Sequence, residues 1–175
     1  QRQRGVLLVL HQMGSHGPAY ARRSPAARKP FQPECHSHAL QDCAPAELVN
    51  AYDNSIAYTD HVLAGAIDWL ARQQERYDPM LLYVSDHGES LGEDGLYLHG
   101  LPYAVAPRAQ THVPMLLWLA PQSEAAIGAT RECLRKRRDV PLSHDHLFHT
   151  VGALLGVQSR LFDPALDLVA PCRGV

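Results

Sequence analysis

No stretch of this 175-residue chain approaches the roughly 20 consecutive apolar residues of a membrane-crossing helix. No signal-peptide pattern opens it either. A surplus of one charge sign is also missing: 16 Lys and Arg against 18 Asp and Glu leave a net charge of −2, which gives no reason to expect a nucleic-acid partner. Internal repeats and low-complexity segments are absent, so a solenoid or a disordered tract is excluded. Cysteine is scarce at four residues, and the spacing of Cys35 and Cys43 does not match a zinc finger. What is left is an ordinary globular composition, long enough for one domain with a sizeable core.

Against this background one stretch stands out: Ser85-Asp86-His87-Gly88-Glu89. It follows the apolar run Met80–Val84, which predicts a buried strand (Leu81–Ser85) bounded by Pro79 and Gly88. Open α/β sheets bind ligands beyond the carboxyl ends of their strands. Asp offers a hard anionic oxygen and His a neutral nitrogen, a pairing that suits zinc. Gly88 is expected to let the chain turn sharply there. Similar features recur. Val6–His11 predicts a strand running into a loop with His11, His16, Gly14 and Gly17. Tyr97-Leu98-His99-Gly100 lies in the loop after Asp86-His87. Val113–Leu119 predicts a third apolar strand. Near-continuous hydrophobicity in these strands suggests a parallel sheet covered on both faces.

Between the strands, residues 14–42 are expected to form a long irregular loop rich in Pro and Arg, the kind of loop that often carries function. From Pro45 to about Gln74 the sequence predicts a helix. Leu48, Tyr52, Ile56, Thr59, Leu63, Ala66, Ile67 and Leu70 recur along one face of it. A second helix is expected over 144–155, with Ser143 as N-cap and Gly156 past its end. Pro164, Pro171 and Gly174 suggest that 157–175 is a loosely held tail to a domain piece spanning 1–156. The basic cluster Arg131, Arg135, Lys136, Arg137 and Arg138 is most simply a solvated helix face.

These segments together resemble the lipid A phosphoethanolamine transferases, a family that includes the mobile colistin resistance enzymes and belongs to the alkaline phosphatase and sulfatase superfamily. Residues 9–20, Asn50–Ile56 with Tyr58–Asp60, Ser85–Glu93, Tyr97–Gly100 and Ser143–Thr150 carry the resemblance, in the same order and with plausible spacing. It implies a three-layer α/β/α sandwich with a mostly parallel central sheet, incomplete in this chain. The implied activity is zinc-dependent transfer of phosphoethanolamine from phosphatidylethanolamine to lipid A, at the periplasmic face of the bacterial inner membrane. In the family a threonine nucleophile and a metal-ligating glutamate lie upstream of the strand that would begin at Val6. The chain opens at Gln1-Arg2-Gln3-Arg4 and is expected to be the carboxyl-terminal part of a catalytic domain, inactive by itself. The membrane helices of the family likewise lie ahead of this segment.

By the same resemblance Asp86 and His87 match ligands of the first zinc. His16 and His99 match histidines that face the transferred phosphate or bind a second zinc. His11 is open between a phosphate-orienting ligand and a core histidine. Glu89 is open between a contact to the ethanolamine ammonium or a second metal and a solvated loop carboxylate. His144, His146 and His149 share a helical turn or so, but the family uses that segment for packing. The family has a disulfide where Cys35 and Cys43 stand, which fits an oxidising compartment. Closing so short a loop stabilises by about 2–3 kcal/mol on the chain-entropy account. Cys133 and Cys172 are open between a second bridge and buried thiols. A sulfatase or a glycerol-phosphate transferase of the same superfamily is the alternative activity, although no Cys-x-Pro-x-Arg nucleophile motif is present. A non-catalytic zinc-binding fragment is the remaining alternative.

Overall fold

The computed structural model describes residues 5–174, and the first four residues, Gln1 to Arg4, lie outside the description. Helices and two short sheets alternate, as an α/β chain requires. The order is α1 (Pro45–Ala71), β1 (Met80–Val84), β2 (Ser90–Leu91), β3 (Tyr97–Leu98), α2 (Arg108–Thr111), β4 (Met115–Leu119), α3 (Ser123–Ile127), α4 (Arg131–Lys136) and α5 (Asp145–Leu154). Packing divides the described residues into two units, one of residues 9–69 and 82–116, the other of 5–8, 70–81 and 117–174.

In the first of these units α1 dominates. Pro45 opens it, where a missing N–H costs nothing because the first turn has no internal acceptor. Leu48 and Ala51 on its inner face meet Tyr20 and Leu40 from the long loop, with Tyr52, Leu91 and Leu98 packed around them. The loop itself is pinned rather than loose. Asn54, fully buried on α1, accepts from Phe31 N–H and donates to Phe31 C=O and to Glu34 Oε2, each at 2.9 Å. Lys29 reaches the buried Glu34 at 2.5 Å, and Cys35 is bonded to Cys43. Three single 3₁₀ turns, Tyr20–Arg22, Ala26–Arg28 and Leu40–Asp42, shape the rest of the loop. Ile56, expected on the inner face of α1, is instead 46% exposed.

In the second unit Leu119, Ile127, Ala129, Val169 and Cys172 form the core, lined by Met80, Leu117, Leu134, Leu154 and Leu168. Residues 167–173 are tied into this unit. Cys172 is bonded to Cys133, and Ala129 bridges Arg173 in antiparallel fashion. Asp167, fully buried, accepts from Val169 N–H at 3.0 Å and from Arg173 Nη1 at 2.5 Å. The prolines that suggested looseness sit in two 3₁₀ turns, Pro164–Leu166 and Ala170–Cys172. Helix α5 starts at Asp145 with His144 as N-cap, one residue beyond the expected Ser143, and Gly156 follows its end in the left-handed region at φ 66°. The basic cluster on and after α4 is solvated as expected: Arg131 pairs with Glu124, Lys136 with Glu132 and Arg138 with Asp139. The guanidinium of Arg131 holds the Glu124 carboxyl below its ordinary range.

Two strand expectations change. Val6 to Leu10 forms no strand among the described residues and is 55–77% exposed, because a strand exists only through hydrogen bonds to a neighbour and none is made there. Strands β1 and β4 are neighbours in one sheet. Ser85 N–H donates to Pro114 C=O beyond one end of the pair, and Ala120 N–H donates to Pro79 C=O beyond the other. These bonds run in opposite senses along the two strands, so this pair is antiparallel. Hydrophobic continuity reports burial on two faces and is silent on strand direction.

Candidate functional site

The site is assembled by three loops of the unit that contains α1. The first runs from residue 11 to the turn at Tyr20, the second follows β1, and the third follows β3. Hairpin pairing sets the last of these. Ser90 lies opposite Leu98 and Leu91 opposite Tyr97. Continuing that register by one residue places Glu89 opposite His99, and the His99 Nδ1 to Glu89 Oε1 distance is 3.1 Å. Leu98 sits in the left-handed region at φ 65°, a strained conformation for a branched side chain. Gly100 follows at φ 102°.

His16, His87 and His99 converge. One ring nitrogen from each lies within 4.8 Å of the others. His87 and His99 stack with centroids 3.6 Å apart, and His16 meets both edge-on at 5.6 and 4.9 Å. Asp86 stands beside this set but is not inside it. Its side chain is 78% exposed, and Oδ1 lies 3.9 Å from His87 Nε2 and accepts from the His87 amide. The family resemblance pairs Asp86 with His87 and, separately, His16 with His99; the structure draws His87 to the latter pair. Three imidazoles at this separation suit zinc, whose ligand nitrogens each lie about 2.0–2.1 Å from the ion. Two carboxylates border that set, the buried Glu89 at His99 and the exposed Asp86 at His87.

Other expectations resolve as follows. His11 is exposed, so it is not a core histidine, and it does not join the three-histidine set. Glu89 is not a solvated loop carboxylate. Its side chain is 3% exposed, and it accepts from Gly17 N–H and Tyr20 O–H, both at 3.1 Å, as well as lying against His99. Burial, with the Glu89 charge second, pushes the Tyr20 phenol well above its ordinary value. The same two causes raise Tyr52. Gly88 is needed for space rather than for a special φ: a Cβ there would collide with the Ala109 carbonyl, and Gly88 N–H donates to Gln110 C=O at 2.9 Å. His146 Nδ1 accepts from Ser143 N–H and His149 Nδ1 from Asp163 N–H, so both serve the local fold. Gly17 and Tyr20 lie in the 9–20 segment that carries the resemblance, but neither is singled out there for a role at the site, because only the folded loop brings them to Glu89.

The sulfatase family profile matches residues 1–157. The chain is 45% identical over 168 residues to the phosphoethanolamine transferase EptA of Salmonella typhimurium, covering 95% of this chain and 31% of that protein. It is 42% identical to the phosphatidylethanolamine transferase Mcr-1 of Escherichia coli, covering 94% of this chain and 28% of that one. The crystal structure of the soluble domain of lipooligosaccharide phosphoethanolamine transferase A from Neisseria meningitidis superposes with a TM-score of 0.90 at 40% identity, over 95% of this chain and 50% of that domain. The α/β fold expected from the sequence is thus the fold of that soluble domain. The chain spans less than a third of the curated relatives' length. It belongs to the sulfatase family, and within that family it is similar to the phosphoethanolamine transferases.

Proposed function

We propose that this chain is the carboxyl-terminal part of the catalytic domain of a zinc-dependent transferase. The parent enzyme moves phosphoethanolamine from phosphatidylethanolamine to lipid A at the periplasmic face of the inner membrane. The observation that carries the reading is the convergence of His16, His87 and His99, with Asp86 beside them, from three separate loops. Few structural needs bring three imidazoles together from three loops. Phosphoryl-group transfer does need such a place, because it asks mainly for positioning and for offsetting of negative charge.

Asp86 and His87 are the residues that would hold zinc, with His16 and His99 available to a second ion or to the phosphate itself. When bound there, zinc supplies positive charge against the phosphate oxygens. The chain's own contribution is orientation. His16 and His99 face the transferred group, and one of them holds or delivers a proton at the leaving oxygen. The nucleophile, a threonine in the resembling family, comes from sequence outside these residues.

The test is mass spectrometry of lipid A from cells expressing the parent protein and its Asp86→Ala and His87→Ala variants. Both variants are expected to fold and to lose lipid A modification. Modification retained by Asp86→Ala would end its assignment as a ligand. Supplying labelled phosphatidylethanolamine in vitro should yield labelled diacylglycerol, and its absence would remove this lipid as donor. The 175-residue chain alone should be catalytically silent and still bind zinc.

A further inference from the structure

Each histidine of the cluster has its Nδ1 against an oxygen that can only accept. His16 Nδ1 lies 2.7 Å from Gly17 C=O, His87 Nδ1 lies 2.9 Å from Gly88 C=O, and His99 Nδ1 lies 3.1 Å from Glu89 Oε1. A neutral imidazole carries one N–H and one lone pair, so an acceptor at Nδ1 places the proton there and leaves the lone pair on Nε2. For His16 and His87 the acceptor is a peptide carbonyl of the next residue. For His99 it is a carboxylate, and that carboxylate is held from behind. Gly17 N–H donates to the same oxygen that faces His99, and Tyr20 O–H donates to the other. The Tyr20 ring is 1% exposed and packed in the core with Leu40, Leu48 and Ala51. Because burial keeps its phenol protonated, it remains a donor across the working pH range.

We propose that Glu89 is a positioning residue: anchored to the core by Tyr20 and Gly17, it holds His99 with its proton on Nδ1 and so leaves the lone pair on Nε2, the nitrogen turned away from Glu89. The proposal deepens the reading of this cluster as the site that faces metal and phosphate, and it rests on that reading. A charged acceptor behind a ligand imidazole fixes its tautomer and raises its basicity, which a neutral carbonyl does less well. Gly17 is central to the arrangement. Its carbonyl backs His16 while its amide backs Glu89, so one residue couples two of the three rings. The hairpin register that sets Glu89 opposite His99 supplies the other constraint.

The experiment uses the 175-residue chain, metal-free and labelled with 15N-histidine, at a pH where imidazole is neutral. Two-bond proton–nitrogen correlation reads the tautomer of each ring. Wild type is expected to show Nδ1–H for His16, His87 and His99. In Glu89→Gln, His99 is expected to shift toward the Nε2–H form while His16 and His87 keep theirs, and zinc affinity is expected to fall about 10–100-fold. Should that variant fail to fold by circular dichroism, Tyr20→Phe keeps the ring in the core, removes one anchor, and is read the same way. An unchanged His99 tautomer in whichever variant folds, or Nε2–H at His99 in wild type, overturns the proposal. The two readings fail separately. Zinc binding with His99 protonated on Nε2 removes the positioning role and keeps the metal. An Nδ1–H ring in a chain that takes up no zinc removes the metal and keeps the positioning.

Discussion

Gly17 shows how little room the site leaves at single positions. A Cβ on it would collide with Leu98 Cδ2 and would lie 2.7 Å from the Tyr20 hydroxyl oxygen. Both neighbours are held, Leu98 by the hairpin and Tyr20 by the core, so neither can retreat cheaply. Gly17→Ala should therefore cost roughly 1–3 kcal/mol, the usual cost of overpacking. Urea denaturation checks this, and an unchanged midpoint would show that the loop yields instead. Tyr20 adds a pH signature. Its phenol titrates above the ordinary 10.0 in the folded chain because burial and Glu89 disfavour the phenolate. Between the unfolded and folded values the native state holds a proton that the unfolded chain has released, so stability falls as pH rises past about 10. Tyr20→Phe, although less stable at neutral pH, should lose less stability across that range. Equal slopes in the two proteins would dismiss Tyr20 as the source.

At the scale of elements, α1 does more than cover a face. Asn54 in its middle replaces the backbone partners that Phe31 would otherwise lack in the long loop. Removing that side chain leaves a part-buried amide and carbonyl and a buried carboxylate oxygen short of a partner, each costing up to about 1–3 kcal/mol if nothing else reaches it. Asn54→Ala should destabilise the chain by about 2–4 kcal/mol and speed hydrogen exchange at the Phe31 amide well beyond the change at α1 amides. Uniform acceleration everywhere would point to global unfolding instead of a local clamp. The β2–β3 hairpin works in the same spirit. Two residue pairs are too few to stand alone, yet they set the register that aims His99, and Leu98 stays in its strained backbone region because it packs against the core around Tyr20.

For the whole molecule the covalent ties matter most. Cys35–Cys43 spans 8 positions in one unit and Cys133–Cys172 spans 39 in the other, and no described cysteine is free. The longer loop takes more freedom from the unfolded chain when closed. Cys133→Ser with Cys172→Ser should therefore cost about 3–4 kcal/mol, and the shorter bridge somewhat less. Thermal or urea unfolding of each double variant measures the difference, and a larger loss from the Cys35–Cys43 pair would contradict the loop-entropy account. Alkylation without reduction, read by mass spectrometry, should find all four cysteines blocked. Among the described residues no helix is long and apolar enough to cross a membrane. The apolar segment Val6–Leu10 remains largely exposed, as do Met115 and Leu116 of β4.

Much of this protein was legible from its residues. Apolar runs marked β1 and β4, three- and four-residue spacing marked α1, and Gly156 marked the end of α5, because those features are local and set by backbone and burial preferences. Asp86, His87, His16 and His99 were legible as candidates because their residue types and loop positions already limit the chemistry they can do. Partnership was not legible, since it depends on residues distant in sequence meeting in space. The antiparallel sense of β1 and β4, the unpaired state of Val6–Leu10, the anchored 167–173 segment, and the burial of Glu89 between Tyr20, Gly17 and His99 were all decided by tertiary structure. Local sequence determines what a residue can do; only the packed chain determines what stands opposite it.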